Sequence, residues 1–148
     1  MRKDITKYNV HTDKWGKLVA LEGNGEIPFN IKRVYYIYGV KEGVRRGFHS
    51  HKKLEQILIC VHGSVKILLK TPDDEEIVTL NKQNEGLYIG PNVWREMYDF
   101  EDNAVLLVLA SNHFKESDYI RNYDDYVKYY EKYVREKKQW KYHSLLCK

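Results

Sequence analysis

Two histidines separated by one residue are the side chains of this sequence best suited to chemistry. His49 and His51 lie in a stretch predicted to be a β-strand, and Glu55 follows four positions later. Because alternate side chains of a strand share a face, His49, His51, Lys53 and Glu55 are predicted to project together. Two imidazoles and a carboxylate in an apolar interior are costly unless they have partners, so the pattern indicates a functional site.

The residues around this pair decide between metal binding and proton transfer. Gly43, the two histidines, Glu55 and Gly63 resemble the first motif of the cupin superfamily, and Gly86–Arg95 resembles the second. Many cupins bind a metal with such residues, but Arg95 stands where the fourth ligand is expected. Arginine offers no lone pair, and its charge repels a cation. We therefore expect no metal and histidines free for proton transfer, while a three-ligand zinc or iron site remains the alternative.

Short apolar or alternating runs separated by turn residues must position this site. They predict an all-β sandwich or barrel, in which Ile57 and Ile59 continue the face of the histidines into the core. The last run lacks alternation and is predicted to be buried on both faces. The runs are Lys17–Leu21, Ile31–Tyr38, Glu55–Val61, Val65–Leu69, Glu76–Leu80, Leu87–Ile89 and Val105–Ala110.

A different periodicity follows the strands. Apolar residues from Tyr119 to Val134 recur every three or four positions, which predicts a packing helix over about 117–137. Ser117 is the predicted N-cap, and Asp118 places negative charge in the first turn. The tail beyond Gln139 is expected to fray unless Trp140 holds it. The whole chain, 1–148, is predicted to be one domain with its barrel at about 10–112.

Composition sets limits on the class of protein. The chain has 148 residues, 43% of them hydrophobic and 31% charged, and a net charge of +4. This modest charge, without alternating basic and aromatic residues, argues against nucleic-acid binding and suits an enzyme that handles a diphosphate. The first residues have no apolar core, and no window is long enough to span a membrane, so a cytoplasmic protein is expected. No disulfide is expected between Cys60 and Cys147.

Four segments together are similar to the dTDP-sugar 3,4-ketoisomerases: Lys32–Ile37, Arg46–Gln56, Gly86–Trp94 and Asp118–Arg121. The similarity extends from about residue 10 to 130. It implies a jelly-roll barrel (a double-stranded β-helix) without metal or cofactor, and a homodimer that often exchanges strands. It also implies dTDP-4-keto-6-deoxyglucose as the substrate. The 3-keto products of this family go to aminotransferases that build 3-amino-3,6-dideoxy sugars of bacterial surface glycans.

The chemistry that this resemblance implies fits the histidines. Moving a ketone from C4 to C3 requires removal of the C3 proton, an enediol, and delivery of a proton to C4. Histidine suits such a shuttle because its unperturbed pKa lies near neutrality. The resemblance implies acid–base roles for His49 and His51. We assign Tyr35, which follows Arg33 on the same strand face, as a hydroxyl that relays a proton or polarises the sugar oxygen.

Further side chains are predicted to bind the substrate. The guanidinium groups match phosphate geometry, and the aromatic rings are suited to thymine or sugar, although core packing is an equal alternative for two of them, Tyr88 and Trp94. The lysine is expected near the mouth of the barrel. The predicted set is Arg33, Arg46, Lys53, Tyr88, Trp94 and Arg95.

The resemblance also points to two positions that bear on the product. Trp15 and Arg95 are similar to the branch that makes the gluco product at C4, whereas arginine at 15 with histidine at 95 would resemble the galacto branch. Protonation of one or the other face of the enediol separates these products. We therefore expect the gluco product.

Three other functions compete with this one. A dTDP-sugar 3,5-epimerase needs a histidine supported by an aspartate, and none is obvious beside the His-x-His pair, so it ranks lower. A non-catalytic sugar-binding cupin serving a transcription factor is disfavoured, since no helix-turn-helix segment accompanies the barrel. A metal-dependent cupin oxygenase would require the metal that Arg95 opposes.

Overall fold

Ten strands and a C-terminal helical segment form the part of the chain that the structure, a computed structural model, describes: residues 4–146. Cys147 lies outside these residues, whereas Cys60 is a buried free thiol. The strands are β1 (Ile5–Lys7), β2 (His11–Thr12), β3 (Lys17–Leu18), β4 (Arg33–Ile37), β5 (Arg46–His51), β6 (Gln56–Lys70), β7 (Glu75–Leu80), β8 (Glu85–Ile89), β9 (Trp94–Ala110) and β10 (Tyr119–Ile120). The helical elements are a 3₁₀ turn (Glu116–Asp118), α1 (Tyr123–Tyr130), a π-helical turn (Glu131–Arg135) and α2 (Glu136–Leu146).

The predicted all-β barrel is confirmed as a curled antiparallel sheet. Its hydrogen-bonded order is β1-β8-β6-β9-β5-β10, with β4 also paired to β9 and β7 to β6, while β2 and β3 form a separate hairpin. The two long strands β6 and β9 pair along most of their lengths and organise the sheet. Leu106, Val108, Leu109 and Ala110 in β9 are all buried, as expected for a strand covered on both faces.

Inside the sheet, the alternation along β6 differs from the prediction. Leu58 and Cys60 belong to the main core cluster, whereas Ile57 and Ile59 pack on the opposite face against a second cluster that includes Tyr8 and Phe29. The reason is that β5 ends at His51 and the chain bends through residues 52–55 before β6 begins. The alternation does not run through that bend, so Leu58 and Cys60 face the main core at the start of β6, and register shifts beyond Cys60 then bring Ile67 and Leu69 to it.

A bulge in β5 aims the histidines inward. The pairing of β5 with β9 shifts register between Gly47 and His49, and Phe48 has a positive φ of 55°. Gly47 has φ of +96°, and a Cβ there would lie 2.8 Å from the carbonyl oxygen of Arg95. Only glycine tolerates both this backbone conformation and this close approach. As a result Phe48 stays exposed, and both histidines are buried.

The C-terminal helix exists but begins later than predicted. Asn122 is the N-cap of α1, and its side chain accepts a hydrogen bond from the backbone N–H of Asp125. Ser117 instead lies in the 3₁₀ turn. The helical segment continues to Leu146 without an anchor at Trp140, whose side chain is 78% exposed. The helix packs through a cluster of Trp94, Ile120, Tyr126 and Tyr130. None of the helices within residues 4–146 is long and apolar enough to cross a bilayer.

Candidate active site

The two histidine rings of β5 meet inside the sheet. Their centroids are 4.9 Å apart, and the planes stand at 87° to each other. Tyr119 of β10 pairs with His51 in register, and its ring centroid lies 4.2 Å from that of His51 and 5.0 Å from that of His49. The predicted proximity of the histidines is therefore confirmed, and an aromatic wall formed by Tyr119 covers both rings.

Asp118 orients His51. Its Oδ2 atom lies 3.1 Å from Nδ1 of His51. Since a carboxylate can only accept, the hydrogen of the neutral ring is on Nδ1, and Nε2 carries the free lone pair. This buried Nε2 atom has no hydrogen-bond partner within residues 4–146. The same carboxylate accepts from the backbone N–H of Lys53 at 2.9 Å, so it also fixes the bend that follows β5.

A buried guanidinium faces the histidines from β9. Arg95 pairs with His49 in register, and only 1% of the residue is exposed. Its Nη1 donates to Oε1 of Gln56 at 2.7 Å, and its Nε donates to the carbonyl oxygen of Val93 at 3.2 Å. In the described part of the chain, Nη2 of Arg95 and Nδ1 of His49 are buried without a partner. Unsatisfied buried polar atoms on neighbouring residues are typical of a site that binds a polar ligand.

Gln56 connects Arg95 to Tyr35. Its Nε2 donates to the Tyr35 hydroxyl oxygen at 3.1 Å. The guanidinium of Arg33 lies 4.7 Å from the centre of the Tyr35 ring and 5.3 Å from that of Phe114. The predicted grouping of Arg33 with Tyr35 is thus observed, and contacts with these rings occupy Arg33.

Burial and positive charge act on the pKa values of both histidines. Burial first, and then the charge of Arg95, lower the pKa of His49 to about 4. The same two causes, in the same order, lower the pKa of His51 well below its usual range. Burial lowers the pKa of Arg95 to about 10, which leaves it charged at neutral pH, and burial raises the pKa of Tyr35. At pH 7 the site therefore contains two neutral bases beside one fixed cation.

A cavity of about 630 Å³ opens beside these residues. His51, Asp118 and Tyr119 form part of its wall. Its basic residues outnumber the acidic Glu55 and Asp118, so it can attract an anionic ligand such as a diphosphate, which leaves the ring of His51 for the part of the ligand that reacts. The basic residues that line it are Lys32, Arg33, Lys52, Lys53 and Lys115.

Four predicted binding residues are not brought to the histidines. Trp94 is buried under α1, where its indole donates to Glu96, and Tyr88 donates its hydroxyl hydrogen to Glu55 at 2.7 Å. Arg46 is exposed at the start of β5. Trp15 lies on the β2–β3 hairpin with 82% of its surface exposed, and no hairpin residue lines the cavity at His51.

The surroundings of Glu55 bear on metal binding. Glu55, the expected third ligand, lines the cavity at His51, but its carboxylate accepts the hydrogen bond from Tyr88, whereas Gln56 contacts Arg95. Residues 4–146 contain no cluster of three or more histidine, cysteine or acidic side chains arranged to hold an ion. With the Arg95 charge beside the two histidines, this set of donors does not fit a divalent cation.

Sequence reasoning missed Asp118, Tyr119 and Gln56 as members of the site. The absence of an obvious aspartate beside the pair was the reason for ranking the 3,5-epimerase lower, and that reason was wrong, since Asp118 contacts His51. Asp118 is 67 positions from His51 in the sequence, so only the pairing of β10 with β5 brings it there. The helix predicted from residue 117 concealed this possibility.

Comparisons with known proteins agree on one family. The family described as "FdtA: WxcM-like, C-terminal" matches residues 1–131. A TDP-4-oxo-6-deoxy-α-D-glucose-3,4-oxoisomerase of Aneurinibacillus thermoaerophilus is 48% identical over 124 residues, which are 84% of this chain and 89% of that protein.

Solved structures give the same result. A histidine-to-asparagine variant of the 3,4-ketoisomerase QdtA from Thermoanaerobacterium thermosaccharolyticum, in complex with TDP-4-keto-6-deoxyglucose, superposes with a TM-score of 0.86 at 53% identity, covering 89% of this chain and 96% of that one. The WlaRB TDP-quinovose 3,4-ketoisomerase of Campylobacter jejuni superposes with a TM-score of 0.81 at 47% identity, covering 85% and 97% respectively.

The lowered pKa values predict how stability depends on pH. Between the unfolded pKa near 6.5 and the folded pKa of about 4, the unfolded chain binds a proton at His49 that the folded chain does not. The free energy of unfolding should therefore fall as pH falls through this window, by up to about 1.4 kcal/mol per pH unit for each such histidine. Urea unfolding at pH 7, 6 and 5 measures this slope.

His49→Asn should flatten the slope. His11→Asn, at an exposed position on the β2–β3 hairpin, is the matched control and should leave the slope as in the parent protein. Equal slopes for the parent protein and His49→Asn would show that His49 is not held neutral by the fold.

Proposed function

This chain belongs to the FdtA family, and on that basis we propose that it is a dTDP-sugar 3,4-ketoisomerase that converts dTDP-4-keto-6-deoxyglucose to a dTDP-3-keto-6-deoxyhexose. One observation carries the proposal: the rings of His49 and His51 are buried side by side, and each has an unpartnered nitrogen within the described residues, next to the guanidinium of Arg95. Proton transfer near a developing oxyanion requires this combination of neutral base and fixed cation.

The proposed mechanism uses these groups without an external oxidant or reductant. One histidine accepts the C3 proton, the C–H electron pair forms the C3=C4 double bond, and the C4 carbonyl oxygen becomes an oxyanion. Arg95 stabilises that negative charge, because its Nη2 has donor capacity that no residue in 4–146 uses. The proton of the C3 hydroxyl then passes to the C4 oxygen, the C3 carbonyl forms, and the electron pair of the C3=C4 bond takes up at C4 the proton that the histidine had accepted, which completes the isomerisation. The Asp118 contact keeps the Nε2 lone pair of His51 available for these transfers.

The cavity supports the proposed substrate class. Its basic lining suits a nucleoside diphosphate, and Arg33 is the predicted phosphate ligand that lies both in this lining and over Tyr35. Lys53 lines the same cavity, which supports its predicted role in substrate binding. The positions of Arg46, Tyr88 and Trp94 give no support to binding roles for these residues, which remain predictions.

The gluco product is part of the proposal. Arg95 lies beside the histidines and can bear on the face of the enediol that is protonated. The name of the Campylobacter jejuni relative, a TDP-quinovose 3,4-ketoisomerase, points in the same direction, since quinovose is 6-deoxyglucose. Trp15 requires a further assumption because its hairpin does not line the cavity of its own chain.

A homodimer would bring Trp15 to a cavity that it does not line within its own chain. The side chains of Val34, Tyr36 and Tyr38 form an exposed row along the outer face of β4 and just beyond it, and the β2–β3 hairpin exposes Trp15. Burial of such apolar surface against a second copy would stabilise a dimer, and a hairpin reaching the neighbouring subunit would bring Trp15 to that subunit's site. The cytoplasmic location and the role in surface-glycan synthesis also remain predictions.

Replacing either central histidine tests the proposed chemistry. His49→Asn and His51→Asn should each lower kcat for dTDP-4-keto-6-deoxyglucose by about 100- to 10,000-fold, the usual effect of losing an acid–base group. Binding of dTDP, measured by calorimetry, should persist because the basic cavity is intact. His143→Asn in α2, beyond the segment that the family matches, should have parental kcat. Wild-type kcat in both site variants would contradict the mechanism.

NMR of the product tests its structure. The ketone is expected at C3, with C4 in the gluco configuration, and coupling constants of the sugar ring distinguish this from the galacto isomer. A galacto product would refute the stereochemical proposal alone. Retention of the ketone at C4 with inversion at C3 or C5 would instead identify a 3,5-epimerase and refute the proposed function.

A further inference from the structure

The hydrogen bonds that join Arg95, Gln56 and Tyr35 run in one fixed direction. A guanidinium only donates, so the Gln56 atom that Arg95 contacts at 2.7 Å must be the carboxamide oxygen. The amide nitrogen of Gln56 consequently faces the Tyr35 hydroxyl at 3.1 Å. Because Arg95 cannot accept a hydrogen bond, this orientation of the amide follows from chemistry and cannot be reversed without leaving two donors in contact.

This direction determines what the Tyr35 hydroxyl can do. Its oxygen accepts from Gln56, so its own hydrogen must be donated elsewhere. Within residues 4–146 no side chain or backbone group accepts that hydrogen. Burial raises the pKa of Tyr35, so the hydroxyl keeps its hydrogen at neutral pH. The Tyr35 hydroxyl therefore already accepts a hydrogen bond from Gln56 and still has its own hydrogen to donate.

We propose that Gln56 is a positioning residue that holds Tyr35 as a hydrogen-bond donor toward the sugar oxygen on which negative charge develops. The inference rests on the proposed 3,4-ketoisomerase activity and extends it to a residue with no acid–base chemistry of its own. The C3 proton still goes to a histidine. The Tyr35 hydroxyl keeps its hydrogen and donates it in a hydrogen bond to the oxyanion. Arg95 fixes the orientation of the Gln56 amide, and the amide fixes the direction in which the Tyr35 hydroxyl donates. A donor oriented before the reaction stabilises the oxyanion without reorganisation during the step.

Gln56→Glu reverses the direction of the hydrogen bond between residue 56 and Tyr35, with almost no change in the shape of side chain 56. The new carboxylate accepts from both Arg95 and Tyr35, so the hydroxyl hydrogen turns toward residue 56 and is lost to the substrate. We expect kcat to fall about 100-fold, as for loss of one oxyanion donor, with KM changed by less than about threefold. Tyr35→Phe removes the same donor and should give a similar loss.

The double variant separates positioning from other effects of the new charge. If Gln56 acts through Tyr35, then Gln56→Glu combined with Tyr35→Phe should have nearly the kcat of Tyr35→Phe alone. If the carboxylate acts on the histidines instead, the two losses multiply and the pH profile of kcat shifts. Multiplying losses, or parental kcat in Gln56→Glu, would overturn the inference.

Controls keep the outcomes distinct. Gln139→Glu makes the same change of charge at an exposed position in α2 and should leave kcat and KM as in the parent protein. If Gln56→Glu does not fold, as judged by circular dichroism, Gln56→Met replaces it in the double-variant comparison. Gln56→Met should then lower kcat much less in the Tyr35→Phe background than in the parent protein. A parent protein with no turnover of dTDP-4-keto-6-deoxyglucose would refute the proposed function, and the inference with it. Turnover in the parent protein with independent losses refutes the inference alone.

Discussion

Burial of one positive charge, that of Arg95, is the constraint on which the site depends. The guanidinium is almost inaccessible, its described partners are the neutral oxygens of Gln56 and Val93, and no carboxylate forms an ion pair with it within residues 4–146. Such a charge is costly, so the surrounding polar groups must be arranged around it. Burial first, and then this charge, lower the pKa of both histidines. The charge also opposes a metal ion, and its contact with Gln56 determines the direction of the hydrogen bond to Tyr35.

The strand pairings explain how distant segments assemble around that charge. β9 carries Arg95, β5 carries the histidines, β6 carries Gln56, and β10 brings Asp118 and Tyr119. The bulge at Gly47 lets β5 approach the backbone of Arg95 and bury both imidazoles. Because every member belongs to a paired strand or to the turn beside one, the site is held by backbone hydrogen bonds rather than by a flexible loop, which favours a fixed geometry for proton transfer.

Much of this arrangement could be predicted from local sequence. The His-x-His spacing and the Arg33–Tyr35 alternation each lie on a single strand, and strand alternation is a local rule. Arg95 was placed instead by the resemblance of Gly86–Arg95 to the second cupin motif. The prediction that Ile57 and Ile59 continue the face of the histidines was wrong because it extended that rule through the bend after His51, whereas Glu55 lines the same cavity as His51 and Lys53.

Other members of the site depend on distant pairings that no local pattern reveals. Asp118 reaches His51 only through the pairing of β10 with β5, and Gln56 becomes a site residue only because Arg95 lies across from it. The helical periodicity that begins at Tyr119 was real, but Asn122 is the N-cap and α1 begins at Tyr123. The residues before the cap instead form the turn that supplies Asp118. Trp94 was predicted to bind substrate because aromatic side chains serve either purpose, and its environment under α1 is set by the fold as a whole.

Nitrogen-15 NMR of the histidine rings measures whether the fold keeps both imidazoles neutral beside the fixed cation of Arg95. At pH 6.0 an ordinary histidine would be roughly three-quarters protonated, given its unperturbed pKa near 6.5. We expect His49 and His51, assigned by comparison with the two asparagine variants, both to give signals of neutral imidazole at that pH, with the hydrogen of His51 on Nδ1. Signals of imidazolium from either ring at pH 6.0 would contradict it.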